Sequence, residues 1–182
     1  MTVARANAHV RYPCRFLLIA AANPCKCGYL ADAARACARV PGCGEEYMGR
    51  ISGPLMDRFD LRVEVPPVSF QDLDLPASGE TSEVVAARVR AARDVQGARY
   101  ADETGVTVNA DASGALLDRV AAPDPEGREL LAMAAERMGL SARGFHRVMR
   151  VARTIADLDG RDKVGRTDIA EAISYRLAGS AN

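Results

Sequence analysis

The chain has 182 residues, enough for one full domain or for part of one domain plus a small helical one. Lys+Arg and Asp+Glu both number 24, so the formal net charge is zero, which excludes a global bias toward nucleic acid or membrane and makes any basic surface local. No apolar run approaches the roughly 18 residues of a membrane span, and no signal-like apolar region precedes Phe16, so a cytoplasmic location without membrane contact is expected. In that compartment the five cysteines point to metal ligands or buried thiols rather than disulfides.

Residues Thr2 to Pro13 read as an exposed hairpin, with Thr2–Ala4 and His9–Tyr12 pairing across Ala6-Asn7-Ala8 and with Arg5 and Arg11 near the turn. The continuous apolar run Phe16 to Ala22, bounded by Arg15 and Asn23-Pro24, reads as a strand buried on both faces. In open α/β sheets ligands sit at the carboxyl ends of strands, which places Asn23 within reach of a phosphate or a water; the competing reading is that Asn23-Pro24 only starts a turn. Cys25, Cys27, Cys37 and Cys43 follow as C-x-C-x9-C-x5-C, two of them followed by glycine. Four thiolates in one short loop match a closed tetrahedral zinc site, and unligated or redox cysteines are the alternative. Cys14 stands outside this cluster and reads as a small buried hydrophobe.

Glu45 to Arg50 are expected to form a helical turn. Ile51 to Asp60 then set one arginine ahead of an apparent strand: Leu55, Met56 and Phe59 give a short turn an apolar side, and Leu61, Val63 and Val65 alternate with Arg62 and Glu64. Arg58 is thus either a positioned side chain or the partner of Asp57 or Asp60 in a surface ion pair. Pro66-Pro67 stop regular structure, and Val68 to Gly79 look like a connector.

Beyond it the periodicity predicts only helices. Thr81 or Ser82 caps the first, a shorter one carries Leu116, Leu117 and Val120, and Pro125 opens a third that Gly139 ends. Ser141 caps a fourth, with Phe145, Val148, Met149, Ala152, Ile155 and Ala156 on its apolar face, and Thr167-Asp168 start the last. Five arginines and no acid lie between Arg137 and Arg153, the most basic stretch, read either as a binding surface or as a solvated face.

Catalytic motifs are mostly missing. The chain has no G-x-x-x-x-G-K-[ST] loop and no apolar strand ending in paired acids for magnesium, and His9 and His146 have no nucleophile pattern beside them. What remains are parts that assist phosphate chemistry by positioning and charge: a strand-terminal asparagine, an isolated arginine on a turn and an arginine opening a helix.

Three motifs, Asn23-Pro-Cys-x-Cys-Gly28, Ile51-Ser-Gly-Pro-Leu-Met-Asp-Arg-Phe-Asp-Leu61 and Leu140-Ser-Ala-Arg-Gly-Phe-His-Arg147 with Val151 to Leu158 after it, resemble the C-terminal half of ComM/YifB proteins. These are AAA+ ATPases related to the magnesium-chelatase ATPase subunit, regarded as hexameric DNA helicases that promote branch migration in natural transformation. The resemblance implies that Asn23 is sensor 1, orienting the attacking water, and that Arg58 is an arginine finger for ATP held by the adjacent subunit. It implies that Arg143 is sensor 2 on a helical lid, and that the hairpin carrying Arg5 and Arg11 faces DNA. The family's second C-x-C pair is absent, since Arg39 stands two residues after Cys37, which leaves Cys43 the least secure fourth zinc ligand.

The expected fold is a partial α/β AAA+ core at residues 1–66 with a four-cysteine insert at 23–44, a linker at 67–80, an all-α lid at 81–178 and a tail at 179–182. The phosphate loop and acidic pair that hold ATP and Mg2+ are expected upstream of Met1, so this chain alone is expected not to hydrolyse ATP. The alternatives are a non-enzymatic zinc module that binds nucleic acid or a partner, and a truncated product that leaves the apolar faces of Phe16–Ala22 and Leu61–Val65 exposed.

Overall fold

The structure is a computed structural model, and it describes residues 2–5, 8–12, 16–30, 32, 34–68, 73, 75 and 79–177. Cys14, the hairpin turn residues Ala6 and Asn7, part of the connector and the tail from residue 178 lie outside the described residues. The chain divides into two compact units, one ending at Ile51 and the other beginning at Ser52. The division falls ahead of the expected connector, so the Arg58 turn and Leu61–Val65 belong with the helices.

In the first unit, β1 (Thr2–Arg5) and β2 (Ala8–Arg11) pair antiparallel, with Thr2 opposite Arg11 and Arg5 opposite Ala8. This is the expected hairpin and the only sheet among the described residues. The cysteine loop follows, and then α1 (Gly42–Met48).

The expected strand at Phe16–Ala22 does not form. The segment has no ladder partner, and Phe16, Leu17, Leu18 and Ile19 are 75%, 86%, 56% and 84% exposed. The run Leu61–Val65 in the second unit likewise forms no strand among the described residues, and its Leu61, Val63 and Val65 side chains are exposed. An extended segment becomes a strand only when a neighbour takes up its backbone N–H and C=O groups. No described strand lies beside either run, so among the described residues the chain is mostly helical with one small two-stranded sheet, and of the expected α/β core only the hairpin is formed.

After the short turn α2 (Gly53–Met56), the second unit holds α3 (Ser82–Arg99), a 3-10 turn (Asn109–Asp111), α4 (Gly114–Val120), α5 (Pro125–Met138), α6 (Ala142–Leu158) and α7 (Arg166–Leu177). The caps expected at Thr81 and Ser141 are in place, and Asp124 adds one ahead of Pro125. Thr81 accepts from the Val84 amide, Asp124 from Gly127 with Pro125 behind it, and Ser141 from Gly144 at 3.0 Å, each satisfying an otherwise orphaned helix N–H. Gly139 ends α5 at φ 58°, a left-handed turn that suits glycine. The apolar face of α6 is the centre of the bundle: Val148, Met149, Ala152, Ile155 and Ala156 are buried with Leu117, Leu131, Val164, Ile169 and Ile173. No helix among the described residues is long and apolar enough to cross a membrane.

A polar network closes one side of this core. The Asp157 carboxylate accepts from Arg99 at 2.5 and 2.8 Å, from Asn109 Nδ2 at 2.8 Å and from Arg153 Nε at 3.1 Å. Asn109 also accepts from the Tyr100 hydroxyl, and Arg153, only 2% exposed, donates to the carbonyls of Arg161 and Asp162. Every member is satisfied, which is the condition under which burying charge is tolerable.

Burial alone would raise the Asp157 pKa, but the hydrogen bonds from Arg99 and Asn109 and the two guanidinium charges outweigh it and hold it below the usual carboxylate value. The resulting stabilisation is complete above about pH 4, the unfolded value, and is lost as pH falls through the lower folded value. Asp157→Ala is expected to cost about 3–5 kcal/mol in urea unfolding near neutrality, because two buried guanidiniums lose their counter-charge. Asp157→Asn should flatten the acid limb of stability against pH. An unfolding midpoint as insensitive as that of Glu103→Ala, which breaks the exposed pair with Arg119, would contradict this.

Candidate functional site

Arg58 sits where the α2 turn ends. Ser52-Gly53-Pro54 starts that turn with proline in its first positions, where a missing N–H costs nothing, and Asp57 and Arg58 donate to the carbonyls of Gly53 and Leu55. The Arg58 guanidinium is exposed and donates to the Pro54 carbonyl at 2.8 Å, and it makes no ion pair with any described residue.

The reason is that both flanking acids are taken. Asp57 Oδ1 accepts from Arg176 Nη2 at 2.5 Å, and its Oδ2 accepts from the Ser141 hydroxyl at 2.9 Å. Asp60 pairs with Arg147. The surface ion pair that the sequence left open for Arg58 is therefore not made; the second helix turn of α6 and the end of α7 have drawn its neighbours away.

Further ties fasten the same turn. Arg176 Nη1 donates to the Phe59 carbonyl at 2.9 Å, the Arg62 amide to the Tyr175 carbonyl at 3.0 Å, and Arg62 Nη2 to the Met56 carbonyl at 3.2 Å. Burial would raise the Asp57 pKa; the Ser141 hydroxyl and Arg176 outweigh it, with a smaller contribution from the Arg143 charge, and the net direction is downward. Burial and then the Arg176 charge lower the pKa of Arg62. Gly144 makes room for this contact: a Cβ there would lie 3.3 Å from Arg176 Nη2 and 3.4 Å from Asp57 Oδ1.

Arg143 is exposed one residue inside the N-terminus of α6, two positions after Ser141. Arg58 and Arg143 thus stand within two residues of the two ends of the Ser141–Asp57 hydrogen bond. Asn23 is exposed, lies in the first unit and ends no strand.

The basic stretch Arg137–Arg153, which runs from the end of α5 into α6, is not a binding surface of five arginines. Arg153 is buried in the Asp157 network, Arg147 holds Asp60, and Arg150 donates through Nε to the Ala112 carbonyl at 2.8 Å, which leaves Arg137 and Arg143 exposed. Sequence reasoning missed this use of charge. The available signal was a run of arginines without local acids, together with two acids beside Arg58 and no local need for both.

The cysteine loop brings together the Sγ atoms of Cys25, Cys27 and Cys43, all within 4.8 Å of one another, a group that could hold a metal ion. Cys25 is fully buried and Cys43 nearly so. Gly28, at φ 81°, turns the chain so that its amide reaches the Cys25 carbonyl at 3.1 Å, and Gly44 lets α1 approach Leu30, since a Cβ would meet Leu30 Cδ2 at 2.9 Å. Cys43, the least secure ligand by sequence, stands inside the cluster. Cys37 lies at its edge, within hydrogen-bond reach of Cys27 and Cys43. The backbone N–H of Tyr29, then the Cys25 thiol and the Cys37 backbone, draw the Cys27 pKa down to about 6, whereas burial, then Cys37, pushes Cys43 up to about 12.

In the hairpin the register corrects the expected position of Arg11. Arg5 lies at the turn, but Arg11 lies opposite Thr2 at the open end, and strand alternation puts the two on opposite faces.

The chain belongs to the magnesium chelatase subunit ChlI family: residues 79–176 match the family described as magnesium chelatase, subunit ChlI C-terminal, and residues 1–73 match magnesium chelatase, subunit ChlI. Within that family it is similar to competence protein ComM of Haemophilus influenzae, at 35% identity over 175 residues, covering 96% of this chain and 33% of that protein. It is also similar to YifB of Salmonella typhimurium, at 36% over 175 residues (96% and 33%), and to the uncharacterized protein Rv2897c of Mycobacterium tuberculosis, at 38% over 178 residues (98% and 35%). The chain thus spans about a third of the length of these relatives.

Proposed function

We propose that this chain supplies the sensor 1, arginine-finger and lid elements of a ComM-like AAA+ ATPase that assembles as a hexamer and acts on DNA as a branch-migration helicase in natural transformation. Asn23 orients the attacking water, Arg58 reaches the γ-phosphate of ATP held by the adjacent subunit, and Arg143 contacts ATP in its own subunit. ATP and Mg2+ are engaged only in the assembly, and the chain by itself does not turn over ATP. The hairpin with Arg5 and Arg11 faces DNA, its opposite-facing cations suiting an element that enters a channel lined by phosphates on more than one side.

One observation carries this reading: Arg58 is exposed and without an ion pair among the described residues, although it is flanked by two aspartates, because both are bound by the lid. An arginine that completes a neighbour's phosphoryl-transfer site must be unneutralised and positioned, and the free guanidinium charge among the described residues, on a turn tied by its flanking acids, supports that reading. The exposed apolar runs Phe16–Ile19 and Leu61–Val65 support it further, since side chains of that size call for covering strands. The alternative of a nucleic-acid-binding module loses support, because three of the four arginines of α6, Arg147, Arg150 and Arg153, bind acceptors within the fold.

The cysteine cluster holds a structural Zn2+ through Cys25, Cys27, Cys37 and Cys43. Thiolates at about 2.3 Å from zinc stand roughly 3.8 Å apart in a tetrahedron, so the present sulfur separations, 3.1 Å for Cys25 and Cys27 and at most 4.8 Å within the trio, bracket what the ion needs. Zinc keeps these thiols deprotonated and braces a loop that has little apolar core of its own.

Arg58→Ala in the ATP-hydrolysing protein is expected to lower turnover by about 10³-fold or more while nucleotide binding is retained. Normal turnover would refute the finger assignment. For the metal, the purified chain is expected to carry about one zinc, and Cys25→Ser to lose it. Elemental analysis that finds no zinc in freshly purified protein, or equal zinc in the variant, would remove the metal from the account.

A further inference from the structure

The lid does more than follow the Arg58 turn; it fastens it. Between Asp57 and Arg62 the chain is tied to two helices by Arg176 on Asp57 and on the Phe59 carbonyl, by Ser141 on Asp57, by Arg147 on Asp60, and by the Tyr175 carbonyl on the Arg62 amide. These ties join the two stretches that match separate family descriptions, residues 1–73 and 79–176. Arg58 itself contributes none of them, and the hydrogen bond of its guanidinium to the Pro54 carbonyl stays within its own turn.

We infer that Asp57 is a positioning residue for Arg58: its carboxylate, seated on Arg176 and on the hydroxyl that caps α6, sets where the finger stands and couples it to the helix that bears Arg143. The inference rests on reading Arg58 as a finger. Physically, the carboxylate occupies the first turn of α6, where the helix dipole and the capping hydroxyl favour an anion. It lies against Gly144, which leaves the space a side chain would fill. The same carboxylate is kept from folding onto Arg58, so one contact both anchors the turn and leaves the finger unneutralised. A shift of α6, as Arg143 engages or releases its own nucleotide, is passed through Ser141 and Asp57 to the residue that reaches the neighbour's nucleotide.

The test compares Arg58→Ala, Asp57→Asn and the double variant in the ATP-hydrolysing protein, with hydrogen exchange of residues 53–62 and of α5 measured on each. Asp57→Asn is expected to lower kcat on the order of 10²-fold, the usual consequence of a misplacement of about 1 Å, with KM for ATP changed by less than about twofold. The double variant should be no slower than Arg58→Ala, because the two act as one unit. Exchange should rise in residues 53–62 and stay unchanged in α5, which separates loosening of the turn from unfolding of the lid. Asp60→Asn, which removes the Arg147 tie from another point, should shift kcat in the same direction by less. Unchanged kcat in Asp57→Asn beside an inactive Arg58→Ala would overturn the positioning role while leaving the finger intact, as would a double variant clearly slower than Arg58→Ala. Full turnover in Arg58→Ala would instead remove the finger reading on which the inference rests.

Discussion

The pairing of Asp57 with Arg176 governs how the second unit is put together. Together with the Arg147–Asp60 pair and the Arg62 amide on the Tyr175 carbonyl, it holds residues 52–68, which form no strand and bury little apolar surface, against the bundle. The carboxylate lies at a helix N-terminus, where the Ser141 hydroxyl donates to it and the helix dipole favours it, and a nearly buried guanidinium bridges it to the Phe59 carbonyl. That this contact is partly solvent-exposed limits its contribution to stability. Its consequence is geometric, because it decides which charges remain for other partners.

The unit uses buried charge in two ways. Around Asp157 the network is enclosed and complete, and its role is to lock α3, the 3-10 turn and α6 in one arrangement. Around Asp57 and Asp60 the pairs sit at the rim and bind a segment that the apolar core does not reach. Cores pack tightly and respond little to a neighbour, whereas a rim held by directional ion pairs can be released by moving one helix. The finger role proposed for the Arg58 turn calls for the second kind of support. The first unit follows the same economy in another form, a cysteine cluster standing where a hydrophobic core would be.

The helices were legible in the sequence because their signals are local: Thr81 and Ser141 cap where expected, Pro125 opens α5 and Gly139 stops it, and the apolar spacing of α6 marks the buried face. Phe16–Ala22 and Leu61–Val65 were legible as apolar and extended, yet not as strands, because pairing depends on segments elsewhere. The cysteine spacing was legible as a cluster, but Cys43 rather than Cys37 joins Cys25 and Cys27, since the turn at Gly28 and the approach at Gly44 are three-dimensional facts. The rim clamp was illegible because its partners are 84 to 119 residues apart, and no periodicity connects Asp57 with Arg176 or Asp60 with Arg147. The arginines of α6 read as a surface for a related reason: Arg147 and Arg150 find their acceptors on other elements, and Arg153 finds Asp157 just beyond the basic stretch.

The central claim is that Arg58, freed of its neighbouring acids by the lid, acts across a subunit boundary. The most direct measurement is a structure of the assembled, ATP-hydrolysing protein with a non-hydrolysable ATP analogue bound. The account predicts the Arg58 guanidinium within hydrogen-bond distance of the γ-phosphate held by the adjacent subunit, with Asp57 still on Arg176. An Arg58 that remains on the Pro54 carbonyl, or that pairs with Asp57 or Asp60 while the neighbouring nucleotide is contacted by another residue, would contradict it.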